Sequence, residues 1–110
     1  MNMTVGTLRG LQQISTTRGI FTMTAMDQRG ALQSMLGLSE PDYALMRQIK
    51  VEVVRALAPH TTALLLDPLF GAAECIAEGA LPGQCGLIVA IEETGYTSDG
   101  SGRLTTLVPN

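Results

Sequence analysis

Three acidic residues each follow an apolar run of the sequence. Asp27 ends "GIFTMTAMD", Asp67 ends "TTALLLD", and Glu92 comes at the end of "QCGLIVAIEE". Gln28 and Arg29 follow the first acid directly and add an amide and a guanidinium. Carboxylates can transfer protons, and a guanidinium can hold a phosphate through two hydrogen bonds. If the three runs are parallel strands, these groups meet at the carboxyl edge of one sheet, where active sites of α/β proteins collect.

Each acid also has a structural interpretation that involves no chemistry. Asp27 and Asp67 both precede predicted helices, and Asp is a favoured N-cap residue. Glu92 can be a solvated strand end. Arg29 suits two roles equally, as a contact to an anionic group or as the partner of a strand-end acid. The presence of three acids at one predicted edge favours a functional site.

The pattern around these residues predicts the order strand, helix, strand, helix, strand. The second and third apolar runs show no polar alternation, which is typical of parallel strands covered on both faces. Such strands are joined by right-handed crossovers. The clearest helix follows Ser39, its predicted N-cap, and ends at Pro59. Its predicted apolar stripe consists of Met46, Ile49, Val53 and Leu57.

Length and composition limit the function. The 110 residues form one domain at most, and residues 93–110 are rich in Gly, Ser and Thr, which predicts a loop-rich tail. The net charge is −3, and the seven Lys and Arg residues are scattered, which argues against nucleic acid binding. No apolar run reaches the ~18 residues of a membrane span. The N-terminus lacks the apolar segment of a signal peptide, so a cytoplasmic location is expected.

Two cysteines in a cytoplasmic chain are expected to be reduced packing residues. Cys75, Cys85 and His60 match no zinc spacing, so no metal site is predicted. The segment "SDGSGR" lacks the ending of a phosphate-binding loop and is predicted to be a flexible loop. Only 15% of the residues are charged, which predicts that part of the surface is covered by other protein.

Four blocks of the sequence resemble the N-terminal part of the class I tagatose 1,6-bisphosphate aldolases and the related sulfofructose-phosphate aldolases. The blocks are "MDQRGALQSML", "LLLDPLFG", "ALPGQCGLIVAIEETGY" and "GRLTTLVP", and the resemblance runs over residues 8–110. It implies an α/β fold, the first three βα-type units of a (β/α)₈ TIM barrel. It also implies cleavage of a ketose phosphate through a lysine Schiff base, with no cofactor. The matched site residues are Asp27, Gln28, Arg29, Asp67, and the element Glu92, Thr94, Gly95 and Tyr96.

The resemblance implies a role for each matched group. Asp27 and Glu92 would support the chemistry, with Asp27 orienting the amine or a substrate hydroxyl. Gln28 would bind substrate oxygens. Arg29 and Asp67 would also face the substrate, a sugar phosphate of the full-length parent.

One departure from the resemblance concerns the lysine. Class I aldolases need a Schiff-base lysine, and the only lysine here, Lys50, is predicted to lie on a solvated flank of the long helix. The sequence therefore predicts an N-terminal portion that is inactive alone, with an unpaired sheet edge that favours homo-oligomers. The alternative function is a non-catalytic α/β module for assembly or for binding a phosphometabolite.

Overall fold

The computed structural model describes residues 2–93, 95, 97–98 and 100–109. Three strands form its central sheet in the order β1-β2-β3, and both neighbouring pairs are parallel. Because consecutive parallel strands need a crossover connection, helices lie between them. This confirms the predicted α/β class and the predicted strand order. The strands are β1 (Met23–Met26), β2 (Ala63–Leu66) and β3 (Gly86–Val89).

One helix precedes the sheet and three lie in its crossovers. A short 3₁₀ turn, Ala58–His60, continues the longest helix. Among the described residues, no helix is long and apolar enough to cross a membrane. The helices are α1 (Val5–Gln13), α2 (Gly30–Met35), α3 (Tyr43–Leu57) and α4 (Ala72–Ala77).

The start of α3 differs from the prediction. Asp42, not Ser39, is the N-cap, and its Oδ1 accepts a hydrogen bond from the N–H of Leu45 at 3.0 Å. Pro41 explains the difference, because the proline ring disfavours helical geometry at the residue before it. The helix therefore starts only after the proline.

The core lies between one face of the sheet and helices α3 and α4. Leu64 and Leu66 of β2 belong to the same buried cluster as Val54 of α3 and Cys75 of α4. Cys75 and Cys85 are buried free thiols, as the sequence predicts. Burial raises the pKa of both thiols, which keeps them protonated.

The described sheet is only partly covered. Leu87 and Val89 of β3 have relative exposures of 37% and 39%, although their register partners Leu64 and Leu66 in β2 are fully buried. Strands β1 and β3 are the outer strands, and each has one edge without a partner strand among the described residues. Helices thus cover this face of the sheet at β2, whereas the side chains on the same face of β3 are exposed.

The tail predicted to be loop-rich contains paired backbone. The N–H of Glu93 donates to the carbonyl of Thr106 at 2.8 Å, so the chain folds back on itself after β3. Two antiparallel strands follow, β4 (Thr97–Ser98) and β5 (Arg103–Leu104).

The end of α1 lies directly against the start of β3. A Cβ added at Gly86 would meet the carbonyl oxygen of Gln13 at 2.6 Å and Cγ2 of Ile14 at 2.7 Å. These distances are shorter than a real Cβ tolerates, so the approach requires a glycine. Gly86 therefore couples the helix to the strand.

We expect Gly86→Ala to lower the free energy of unfolding by about 1–3 kcal/mol, because the added methyl overpacks this contact. Gly10→Ala in α1 is the control, since a Cβ there meets nothing within 4 Å. Alanine is the better helix former, so the control should be neutral or stabilising by up to about 1 kcal/mol. Urea denaturation measures both. Equal stability of Gly86→Ala and the unsubstituted chain would contradict the docking of α1.

Candidate functional site at the carboxyl edge of the sheet

The register of the sheet brings the predicted acids to one edge. Met26 of β1 is the register partner of Leu66 of β2. Asp27 and Asp67 are the next residues along the two strands, so both follow the carboxyl ends of neighbouring parallel strands. This is the edge at which α/β proteins place their active sites.

Glu92 lies beyond the end of its strand. Strand β3 ends at Val89, and Glu92 forms an isolated antiparallel bridge with Leu107. Its backbone carbonyl accepts a hydrogen bond from Nη2 of Arg29. The Arg29 guanidinium thus ties the end of β1 to the segment after β3 through a carbonyl rather than through an acid. Its predicted contact with a phosphate stays a prediction.

Asp27 and Gln28 remain open to a ligand. Asp27 is half-buried and Gln28 is exposed. Neither side chain makes a hydrogen bond or an ion pair with any residue that the structure describes. The capping interpretation of Asp27 is wrong, because Arg29 occupies the N-cap position of α2 and no side chain caps that helix. Both side chains can therefore bind something else at the sheet edge.

Asp67 is fully engaged inside the protein. Its side chain and that of Lys50 are both 0% exposed and form an ion pair through Nζ and Oδ1. Oδ2 accepts hydrogen bonds from the backbone N–H groups of Leu69 at 3.1 Å and Phe70 at 2.7 Å. The Lys50 ammonium also donates to the carbonyl of Met26 at 2.9 Å. Asp67 thus has a structural role, as the interpretation without chemistry predicted. Its carboxylate, however, binds the loop before α4 rather than capping the helix itself.

The predicted solvated position of Lys50 is wrong. Residues spaced by four lie in a row on a helix, and Lys50 lies in the row formed with Met46, Val54 and Ala58. All four residues are buried. Met46 belongs to the predicted stripe and to the buried row, whereas Lys50 was predicted to be solvated and belongs to the buried row.

The rest of the predicted stripe is therefore offset by one residue from the row that is buried. Its other members, Ile49, Val53 and Leu57, are only half-buried. Two features of the sequence could have indicated the buried ion pair. The lysine lies four residues from an apolar residue on either side, and an acid follows an apolar strand.

The charges of Lys50 and Asp67 also affect the pKa of a thiol in the core. Burial is the main cause of the raised pKa of Cys75, and the Lys50 ammonium opposes the shift while the Asp67 carboxylate adds to it. The thiol therefore lies within the electrostatic reach of the pair. Among the residues that the structure describes, no three His, Cys, Asp or Glu side chains gather as metal ligands would.

Thr94 and Tyr96, which the sequence matched to a site element, lie outside the described residues. A cavity of about 320 Å³ adjoins Arg29 and is lined on its apolar side by Met46, Leu69 and Phe70. Asp27 and Gln28 do not line it. Of the cluster Asp27, Gln28 and Arg29, the guanidinium of Arg29 is therefore the group that adjoins this cavity.

Parallel strands with helical crossovers and polar groups at the carboxyl edge define a parallel βα protein. The family model of the DeoC/LacD aldolases matches residues 21–109. The chain belongs to this aldolase family, and its sheet is the first three βα-type units of a TIM barrel, still incomplete within the described residues.

Relatives show the same resemblance. The tagatose 1,6-diphosphate aldolases of Staphylococcus aureus strains JH9 and Newman are each 38% identical to the chain over 100 residues. The matched region is 88% of this chain and 30% of each relative. The chain thus spans about 30% of the length of these relatives, and the match confirms the family that the sequence blocks indicated.

The contrast between the two acids predicts a large loss of stability on removing Asp67 and almost none on removing Asp27. Asp67→Ala should lower the free energy of unfolding by about 3–5 kcal/mol, because it leaves the Lys50 charge buried without its partner. Asp27→Ala, which removes no hydrogen bond or ion pair with a described residue, should change the free energy of unfolding by no more than about 0.5 kcal/mol. Chemical denaturation of both variants checks the contrast. Similar losses for the two would contradict the division of roles.

Proposed function

We propose that this chain supplies one wall of the active site of a Schiff-base ketose-phosphate aldolase. The observation that carries the proposal is the open Asp27–Gln28 pair at the carboxyl edge of a sheet from an aldolase family. Its similarity to tagatose 1,6-diphosphate aldolases supports a bisphosphorylated ketose as substrate. The alternative substrate that the sequence resemblance implies is a sulfosugar phosphate. The products would be dihydroxyacetone phosphate and an aldehyde.

The residues of the edge suit distinct parts of this reaction. In the retro-aldol step a base takes the hydroxyl proton of the substrate as the carbon–carbon bond breaks, and the electron pair moves to the iminium. The free carboxylate of Asp27 can orient that hydroxyl or the attacking amine, and Glu92 can assist proton transfer. Gln28 can bind substrate oxygens. One N–H group of Arg29 donates to the Glu92 carbonyl, and its other N–H groups can donate to an anionic group.

Asp67 is proposed here as a support and not as a direct substrate contact. Its oxygens already accept from Lys50, Leu69 and Phe70, and its side chain is 0% exposed. A substrate contact for Asp67 stays a prediction, and it would require the buried pair to open.

Lys50 is not suited to be the Schiff-base amine. Nζ is enclosed between Asp67 and the Met26 carbonyl, so a substrate carbonyl cannot reach it. We propose that the reactive amine belongs to a part of the barrel outside this chain and that the chain alone does not cleave the substrate. The uncovered edges of β1 and β3 support association with a further copy or with the rest of a barrel.

A chimera tests the proposal. This chain replaces the matched 30% of the S. aureus tagatose 1,6-diphosphate aldolase, and cleavage of tagatose 1,6-bisphosphate is measured. We expect an active chimera, because the chain is 38% identical to this aldolase over the exchanged region. Asp27→Asn should lower kcat by about 10²-fold, the usual effect of losing the orientation of a reacting group.

Thr17→Ala is the matched control for the chimera, because Thr17 is an exposed loop residue that lies ahead of β1, at the opposite end from the carboxyl edge. It should keep the activity of the chimera. A folded chimera that does not cleave the substrate would overturn the proposal and favour the non-catalytic assembly or binding module. Full activity of Asp27→Asn would remove Asp27 from the chemistry.

A further inference from the structure

We propose that the Lys50–Asp67 pair is a positioning device that sets the direction of the Asp27 carboxylate. Its consequence for catalysis rests on the proposed function, whereas its effect on local geometry does not. The pair would act through the backbone between Met26 and Asp27, so Lys50 and Asp67 are positioning residues and do not touch the substrate.

Stability alone does not explain why two charges lie here. Both side chains are 0% exposed, and taking two charges out of water costs several kcal/mol per ion. Apolar residues of similar volume in place of a buried ion pair are often as stable or more so. The partners are nevertheless well satisfied, since Lys50 donates to two oxygens and Asp67 accepts from three groups. A role in placing other groups is the remaining explanation.

The location of the pair shows which group it places. The Lys50 ammonium comes from the middle of α3 and donates to the carbonyl of Met26, the last residue of β1. That carbonyl and the N–H of Asp27 belong to one planar peptide group, so holding the oxygen fixes the whole plane. Because the Asp27 side chain makes no hydrogen bond or ion pair with the described residues, the backbone is the anchor from which the carboxylate is placed.

The other half of the pair fixes the neighbouring strand end. Oδ2 of Asp67 holds the N–H groups of Leu69 and Phe70, which start the loop between β2 and α4. Gly71 leaves room for this arrangement, since a Cβ there would lie 3.1 Å from Oδ1 of Asp67 and 3.5 Å from Cδ of Lys50. One ammonium therefore sets the ends of β1 and β2 relative to each other.

The test uses the labelled 110-residue chain with Lys50→Met and Asp67→Asn combined. Asparagine keeps an oxygen for the two loop amides, and methionine keeps the length of the lysine stem, so no charge is left unpaired. NMR measures amide hydrogen exchange at Asp27 and the carbonyl shift of Met26. We expect about tenfold faster exchange at Asp27 and a moved Met26 signal, because that carbonyl loses its charged donor.

Val54→Ala is the matched control, since Val54 lies on the same buried row of α3, four residues from Lys50. It opens a cavity and lowers stability but should leave both NMR signals in place. Gly71→Ala is the second variant, because it keeps both charges and presses on Asp67 Oδ1. An unchanged Asp27 signal in the double variant and in Gly71→Ala would overturn the inference.

The chimera supplies the catalytic readout. The double variant should lower kcat by about tenfold to 10²-fold with little change in KM, as misplacement of a reacting group does. Val54→Ala should keep kcat. An inactive unsubstituted chimera would overturn the proposed function, while the NMR arm still decides the positioning role. An active chimera whose double variant keeps its kcat would overturn the positioning role alone.

Discussion

The ion pair between Lys50 and Asp67 constrains the rest of the structure more than any other contact. Two fully buried charges require each other, because either one alone in the core would be strongly destabilising. Helix α3 must therefore turn its row of Met46, Lys50 and Val54 toward the sheet. The loop after β2 must bring two amides to Asp67, and a Cβ at the next residue, Gly71, would lie only 3.1 Å from Oδ1 of Asp67.

The pair also separates the polar groups at the sheet edge into two kinds. Those that build the edge have their hydrogen bonds satisfied within the protein, as Asp67 does with Lys50 and Arg29 does with the Glu92 carbonyl. Those that face outward, Asp27 and Gln28, have none with the described residues. A polar side chain without a partner inside the protein can bind a ligand. It can do so without movement of the backbone if neighbouring polar groups hold that backbone in place through their own hydrogen bonds.

Local sequence signals predicted much of this arrangement. Three apolar runs became the three parallel strands, and Gly37 and Gly79 end α2 and α4 with φ values of 68° and 63°, which glycine adopts without strain. The order of the apolar runs in the sequence is enough to place Asp27 and Asp67 at one edge. These features depend on neighbours in the sequence, and such patterns are readable from one chain.

Features that depend on distant partners were not readable in the same way. Lys50 resembles a surface residue until Asp67, 17 residues away, is placed beside it. The pairing of Glu93 with Thr106 is likewise invisible in a stretch rich in Gly, Ser and Thr. The guanidinium of Arg29 meets the backbone carbonyl of Glu92, 63 residues away, and its contact with an anion stays a prediction. In each case tertiary pairing overrode a local polarity pattern.

The buried ammonium can be observed directly, because the chain contains a single lysine. Selective ¹⁵N labelling of lysine then gives one Nζ signal in the NMR spectrum. The structure predicts an ammonium whose protons exchange slowly with water and show a through-bond coupling to the Met26 carbonyl carbon. A fast-exchanging Nζ signal at the position of a solvent-exposed lysine would contradict the buried pair and the strand-end geometry that depends on it.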